Sequence, residues 1–167
     1  MFDYEPLLHH QHPEIRAHSL IGLYQRSPEE YDSTITSWLN SNDMDQLKAG
    51  IIAAGGSGNH SYAERLKEIL ADHENEPVLP DIINGLHKLE TAQLNDLLLP
   101  FLSHKTKEIR EAALRAIKID DDVLLKKVIA ILDDPYEDIV ELAKQKIETA
   151  PYQNIQLLVE SLAIPNR

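Results

Sequence analysis

The side chains best suited to chemistry lie in short clusters. His9, His10 and His12, with His18 nearby, are imidazoles close in sequence, and such groups can converge on zinc or nickel. The simpler reading is a solvent-facing turn, because His9 to Glu14 occupies the place in the chain's internal pattern that Ser103-His104-Lys105 and Asp133-Asp134-Pro135 occupy elsewhere. Gly55-Gly56-Ser57-Gly58 invites comparison with a phosphate cradle, but that loop needs a preceding strand and usually a lysine leading into the next helix, and neither is present. These glycines read instead as a flexible helix exit, with Gly55 or Gly56 as a left-handed cap. Asp120-Asp121-Asp122 and Asp133-Asp134 lack the ligand spacing and glycine of a calcium loop. They read as helix-start acids, favoured by the positive end of the helix dipole. No serine, histidine and acid order and no specific pair of carboxylates occurs, so the expectation is a protein that is not an enzyme and holds no cofactor and no metal.

The chemistry that remains is recognition, and composition limits its partners. The 167 residues are 43% hydrophobic and 26% charged, ordinary for a chain that folds. With 16 basic and 28 acidic residues the net charge is −12, which repels a phosphate backbone and argues against nucleic acid. The absence of cysteine excludes disulfides, thiolate metal sites and cysteine nucleophiles. Met1-Phe2-Asp3-Tyr4-Glu5 lacks the basic start and apolar core of a signal peptide, and no apolar run approaches the roughly 20 residues of a membrane span. The expectation is a soluble, cytoplasmic chain without membrane insertion, or a soluble part of a larger membrane protein.

The elements that must position any binding residues come from a repeat. An aliphatic pair, a polar turn and a helix opening on an aliphatic residue recur five times, anchored at Ile15, Leu47, Val78, Ile109 and Ile139, which are 32, 31, 31 and 30 residues apart. The best-formed copy runs from Phe101-Leu102 through the turn Ser103 to Glu108 into Ile109-Arg110-Glu111-Ala112-Ala113-Leu114-Arg115-Ala116-Ile117. Leu7-Leu8 through Ile15-Arg16-Ala17-His18-Ser19-Leu20-Ile21-Gly22-Leu23 matches it at almost every apolar position. Ser27-Pro28-Glu29-Glu30 and Asp134-Pro135-Tyr136-Glu137 each supply a capping oxygen, a first-turn proline and a reciprocal acid, so both mark helix starts. The pattern predicts repeats at about 3–26, 27–57, 59–89, 91–119 and 121–149, each a helix pair, and a final helix at 151–163. Pro77 and Pro80 should delay or kink the second helix of the third repeat.

Ile109-Arg110, Ala113 and Ala116-Ile117 resemble the second helix of HEAT repeats, in particular the short variety named after phycobilisome lyases, which typically reads Val-Arg-x-x-Ala-x-x-Ala-Leu. The resemblance covers about residues 3–163 and implies an all-α fold, a right-handed α-solenoid of about five helix pairs plus a terminal helix. It also brings to mind the HEAT-repeat iron hydroxylases, but these use several His-Glu pairs, and His73-Glu74 is a single pair. HEAT-like DNA glycosylases need a basic, aromatic-lined groove, which this acidic chain lacks. A lyase role is implied by the resemblance alone, with no site residue to support it.

In the family's architecture the second helices line a concave face. The resemblance then places Ala17, Ile21 and Tyr24, Ala49 and Ala53, Pro80, Asn84 and His87, Glu111, Arg115 and Lys118, and Glu141, Gln145 and Glu148 there, with the helical phase open by one residue. Partner-binding candidates are Ile21, Tyr24, Ala49, Ala53, Asn84, His87, Glu111, Arg115 and Lys118, giving a groove greasy at one end and charged at the other. The alternative is that Ile21 and Tyr24 are buried against the next repeat. The final helix, with Ile155, Leu157, Leu158, Val159, Leu162 and Ile164, would present an open apolar end, covered by a second copy or, preferably, by the next segment of a longer polypeptide. The expected function is an adaptor or regulatory scaffold that binds protein or peptide. The competing expectation, by family analogy, is a cytoplasmic domain of a transporter-like or cyclic-nucleotide-sensing protein.

Overall fold

The computed structural model describes residues 3–162. The side chains of His73, Glu74 and Leu162, and all of Ile164, lie outside the described residues. Among the described residues the regular structure is helical, with no strand, and the chain divides into two compact units, Met1–Leu94 and Asn95–Arg167.

In the first unit, α1 (Pro13–Arg26), α3 (Met44–Gly56) and α5 (Leu79–Lys88) lie side by side with α3 in the middle. The 3-10 turn Glu5–His9 packs on α1, α2 (Pro28–Leu39) packs on both α1 and α3, and α4 (Ala63–Leu70) packs on α5. Leu20, Ile35, Leu39, Ile51, Leu66, Ile82, Ile83 and Leu86 fill the space between them, each fully or almost fully buried. Burial of that kind contributes roughly 1.5–3 kcal/mol per side chain.

Small residues set how closely these helices approach. A Cβ on Gly55 would sit 2.5 Å from the Gly85 Cα, so α3 and α5 meet backbone to backbone. One on Gly50 would sit 2.8 Å from the Trp38 carbonyl carbon, where α3 meets the end of α2. Gly55 and Gly56 are thus the last two residues of α3 rather than its left-handed cap, because the contact with Gly85 and the cover of Ile21 over Gly56 hold them in the helix. The left-handed residue is Gly58, with φ +74°. Pro77 lies in a 3-10 segment, His73–Val78, and α5 begins at Leu79 with Pro80 in its first turn.

In the second unit, α6 (Leu94–Leu98) runs into the 3-10 turn Leu99–Ser103, which packs on α7 (Lys107–Ala116). The helix α8 (Asp122–Ala130) and the turn Ile131–Asp133 pack on α9 (Glu137–Glu148), and α7 touches α9. Leu98, Leu102, Ile109, Ala113, Leu114, Leu125, Val128, Ile139 and Ala143 form the core. Asp121 caps α8 by accepting the Leu124 N–H at 2.8 Å. Lys146 of α9 donates to the carbonyls of Arg115 (2.7 Å) and Ile117 (2.9 Å), covering the last turn of α7, while burial, with help from the Arg115 charge, holds its pKa down. On α10 (Ile155–Leu162), Ile155 and Val159 are exposed and Leu157 and Leu158 half-buried.

The repeat is visible in the hydrogen bonds of the turns as well as in the helices. His10 Nδ1 accepts the His12 N–H at 3.1 Å, Ser41 Oγ the Asp43 N–H at 3.1 Å, His104 Nδ1 the Thr106 N–H at 3.1 Å, and Asp134 Oδ1 the Tyr136 N–H at 3.0 Å. Three residue types do one job: a side-chain acceptor closes the turn before the second helix of the first, second, fourth and fifth repeats. A tyrosine ladder recurs in the same way, with Tyr31 donating to Glu5, Tyr62 to Asp32 and Tyr152 to Asp122. Tyr31 and Tyr62 tie their repeat's first helical segment to the one before it, and Tyr152, in the stretch ahead of α10, reaches back to α8 in the same way.

The two expected capping boxes turn out differently. The helix α2 does begin at Pro28, but Ser27 makes no side-chain cap bond. At the other, α9 begins only at Glu137, and Asp134 is not its cap. Its carboxylate is taken by Arg110, from Nε at 2.8 Å and Nη2 at 3.1 Å, in a pair of which little is exposed. Its Oδ1 also accepts the Tyr136 N–H, so Asp134 closes the turn ahead of α9 instead of capping the helix.

Candidate binding surface

The outward side of α1, α3 and α5 is the surface that the repeat pattern singles out, and helical spacing settles which residues form it. Glu14, His18 and Ile21 share one face of α1, Lys48, Ile52 and Gly56 one face of α3, and Asp81, Asn84 and Lys88 one face of α5. Ile21 and Ile52 are half-buried, Asn84 and His87 exposed. Ile21 lies directly over Gly56, where a Cβ would meet its Cδ1 at 2.3 Å. At the start of the three helices, Lys48 reaches Glu14 at 2.6 Å and holds that carboxyl below its usual range. Burial lifts the neighbouring Asp81 carboxyl, against the pull of the Lys48 charge and with a push from Glu14.

Four residues expected on that surface belong to the core. Ala17, Ala49 and Ala53 are fully buried and Tyr24 nearly so. On α3 the pattern is out of phase by one residue: the alanines are what allow α3 to sit between its neighbours, and Lys48 and Ile52 point outward in their place. Tyr24 is held inside because its hydroxyl accepts from Asn59 Nδ2 at 2.9 Å and its ring meets Tyr62 edge-on, 6.4 Å between centroids. Tyr24 therefore follows the alternative, burial, while Ile21 lies halfway between the two.

On α7 of the second unit, Arg115 is exposed and Glu111 half-buried, and Lys118, two residues past the helix end, is exposed. The Arg115 guanidinium pairs with Glu111 one turn earlier at 2.8 Å, so the charge at this position is answered within the helix. Glu141, Gln145 and Glu148 are exposed on α9, with Glu141 paired to Lys144 at 2.6 Å.

The turn side of the first unit holds two clefts that the sequence reading missed. One, of about 480 Å³, is lined by Leu8, His9, Arg16, Thr34, Trp38 and Gln46. The other, of about 340 Å³, includes Leu39, Asn40, Leu47, Arg65 and Ile69. Adding 31 to Leu8, His9, Arg16, Thr34 and Trp38 yields the second set, so these are the same seam one repeat apart. The signal was present in the period, but it emerges only when turn and helix positions are superposed.

Some side chains of the remaining clusters take part in holding the fold. His10 spends Nδ1 on the turn, with its ring 5.3 Å from that of His12. Among the described residues no group of three or more His, Cys, Asp or Glu side chains gathers as a metal site. Asp122 accepts from Tyr152 at 2.8 Å and Asn154 at 3.0 Å, bonds that hold its pKa down. No helix among the described residues is long and apolar enough to cross a membrane. Compared with known proteins, the chain matches no family model, and no curated protein matches its sequence.

Proposed function

We propose that this chain is a HEAT-like repeat module, a right-handed α-solenoid in its overall plan, that binds a protein or peptide through its second helices and performs no chemistry of its own. The observation that carries this reading is the outward side of α1, α3 and α5. There Ile21 lies over Gly56 and Ile52 is half-buried one turn before it on α3, with Asn84 and His87 exposed on α5 and the Glu14–Lys48 pair at the helix starts. An apolar patch rimmed by polar groups is the usual anatomy of a protein contact. The side chains that dock there are apolar, with hydrogen-bonding groups for Asn84 and His87. The five-fold sequence phrase and the recurring side-chain closure of its turns support the solenoid plan. No cofactor takes part.

The test is affinity capture from source-cell lysate with the wild-type chain and an Ile52→Asp/His87→Glu double variant, after circular dichroism shows equal helicity. Tyr24 is no place for such a charge, because it is core. A specific protein retained by the wild type and lost by the variant supports the reading. The same partners on both proteins overturn it.

A further inference from the structure

The two arginines at equivalent places in the first and fourth repeats are treated differently by the chain. Arg110 is fully engaged: Nη1 donates to the His104 and Lys105 carbonyls at 2.8 and 3.1 Å, and Nε and Nη2 grip the two oxygens of Asp134. Arg16, 94 residues earlier, repeats the first half of this pattern, with Nη1 donating to the His10 and Gln11 carbonyls at 2.9 and 3.5 Å. The second half is missing. Arg16 Nε is shut off from solvent yet has no hydrogen-bond partner, and no carboxylate pairs with this side chain among the described residues. The turn residue that corresponds to Asp134 is Ser41, whose hydroxyl closes its own turn and is too short to answer a guanidinium fork.

We propose that the cleft lined by Leu8, Arg16, Thr34 and Trp38 is a receptor for one carboxylate side chain of a bound peptide, gripped by Arg16 as Arg110 grips Asp134. A buried guanidinium N–H without an acceptor is a standing cost, removed by whatever acceptor reaches it. The planar fork favours a two-oxygen, planar anion. Leu8 and Trp38 beside it offer an apolar wall, so the ligand is an aspartate or glutamate flanked by an aliphatic residue, not a free anion. A free phosphate would leave the apolar wall of Leu8 and Trp38 unfilled. This site lies on the turn side of the first two repeats, away from the outward side of α1, α3 and α5, and does not depend on that surface binding anything.

The experiment is a ¹⁵N NMR titration of the full chain, following the Arg16 Nε–H and the Trp38 indole N–H. The probes are the blocked tripeptide acetyl-Leu-Glu-Leu-amide, its glutamine counterpart and inorganic phosphate at matched ionic strength. The expected result is a saturable shift of both signals with the glutamate peptide, at least about tenfold weaker with glutamine, and lost in Arg16→Gln. Ser41→Asp supplies the missing internal carboxylate. Asp134 already closes its turn and pairs with arginine at once, so this variant keeps its fold, moves the Arg16 Nε–H without ligand, and no longer responds to peptide. The proposal is overturned if the two peptides act alike, if phosphate saturates Arg16 at lower concentration than the peptide, or if nothing saturates by about 10 mM. The Ile52→Asp/His87→Glu variant should titrate like the wild type, which separates this proposal from the previous one.

Discussion

Replacing Gly55 by alanine tests whether α3 and α5 are held at backbone contact. The new methyl would lie 2.5 Å from the Gly85 Cα, well inside contact distance, and the obstacle is main chain that has no rotamer to change. Overpacking of this kind costs about 1–3 kcal/mol, and an immovable neighbour places it toward the upper end. Against this, alanine is the better helix former by about 1 kcal/mol. The net expectation is a loss of about 1–2 kcal/mol. With a urea slope of about 2 kcal/mol/M, the midpoint falls by roughly 0.5–1 M. The assay is urea unfolding followed by fluorescence of Trp38, the single tryptophan, which sits in the first unit beside α3. Gly56→Ala is the control, because its methyl meets only the flexible tip of Ile21, which can turn aside, so the variant should be neutral or slightly stabilised. If Gly55→Ala is as stable as Gly56→Ala, the helices are not in backbone contact and the packing account is wrong.

Two further outcomes follow from the charges. Burial alone would raise the Asp134 carboxyl, but the Arg110 bonds, the Tyr136 N–H and the Arg110 charge hold it below its ordinary value. A carboxyl lowered by folding contributes stability that is fully present above its unfolded pKa of about 3.9 and is lost as pH falls through the folded value. Asp134→Asn should therefore cost about 2–3 kcal/mol at neutral pH, with the gap to wild type closing below about pH 4; equal stability at pH 7 would refute the pairing. Tyr31 is pushed up to about 12, chiefly by its bond to Glu5 and then by desolvation and nearby acids. Alkaline absorbance titration should show one phenol ionising there, absent in Tyr31→Phe and lowered toward about 10 in Glu5→Gln. An unchanged curve in either variant would count against the tyrosine ladder.

Much of the helical plan was legible before any coordinates. Regular anchors and proline positions divided residues 27–57 into a helix pair, and the structure has Pro28–Leu39 and Met44–Gly56 there; the final helix, expected at 151–163, begins only at Ile155. The candidate surface was only partly legible. Asn84, His87, Arg115 and Lys118 are exposed as expected, while Tyr24, Ala49 and Ala53 are not. A one-residue error in helical phase exchanges neighbours such as Lys48 and Ala49 or Ile52 and Ala53 between faces, and alanine is small enough to fit either one.

The sequence by itself determined that the chain is helical, roughly where several of its helices lie, and that it is acidic and without cysteine. Those properties are local or compositional, set by propensity, period and charge count. Only the tertiary structure decided that Gly55 meets Gly85, that Tyr24 is core, and that Arg110 is answered by Asp134 while Arg16 Nε is not. Each of these depends on atoms tens of residues apart arriving within a few ångströms, and neither the repeat period nor residue type specifies that meeting without the packed helices between them.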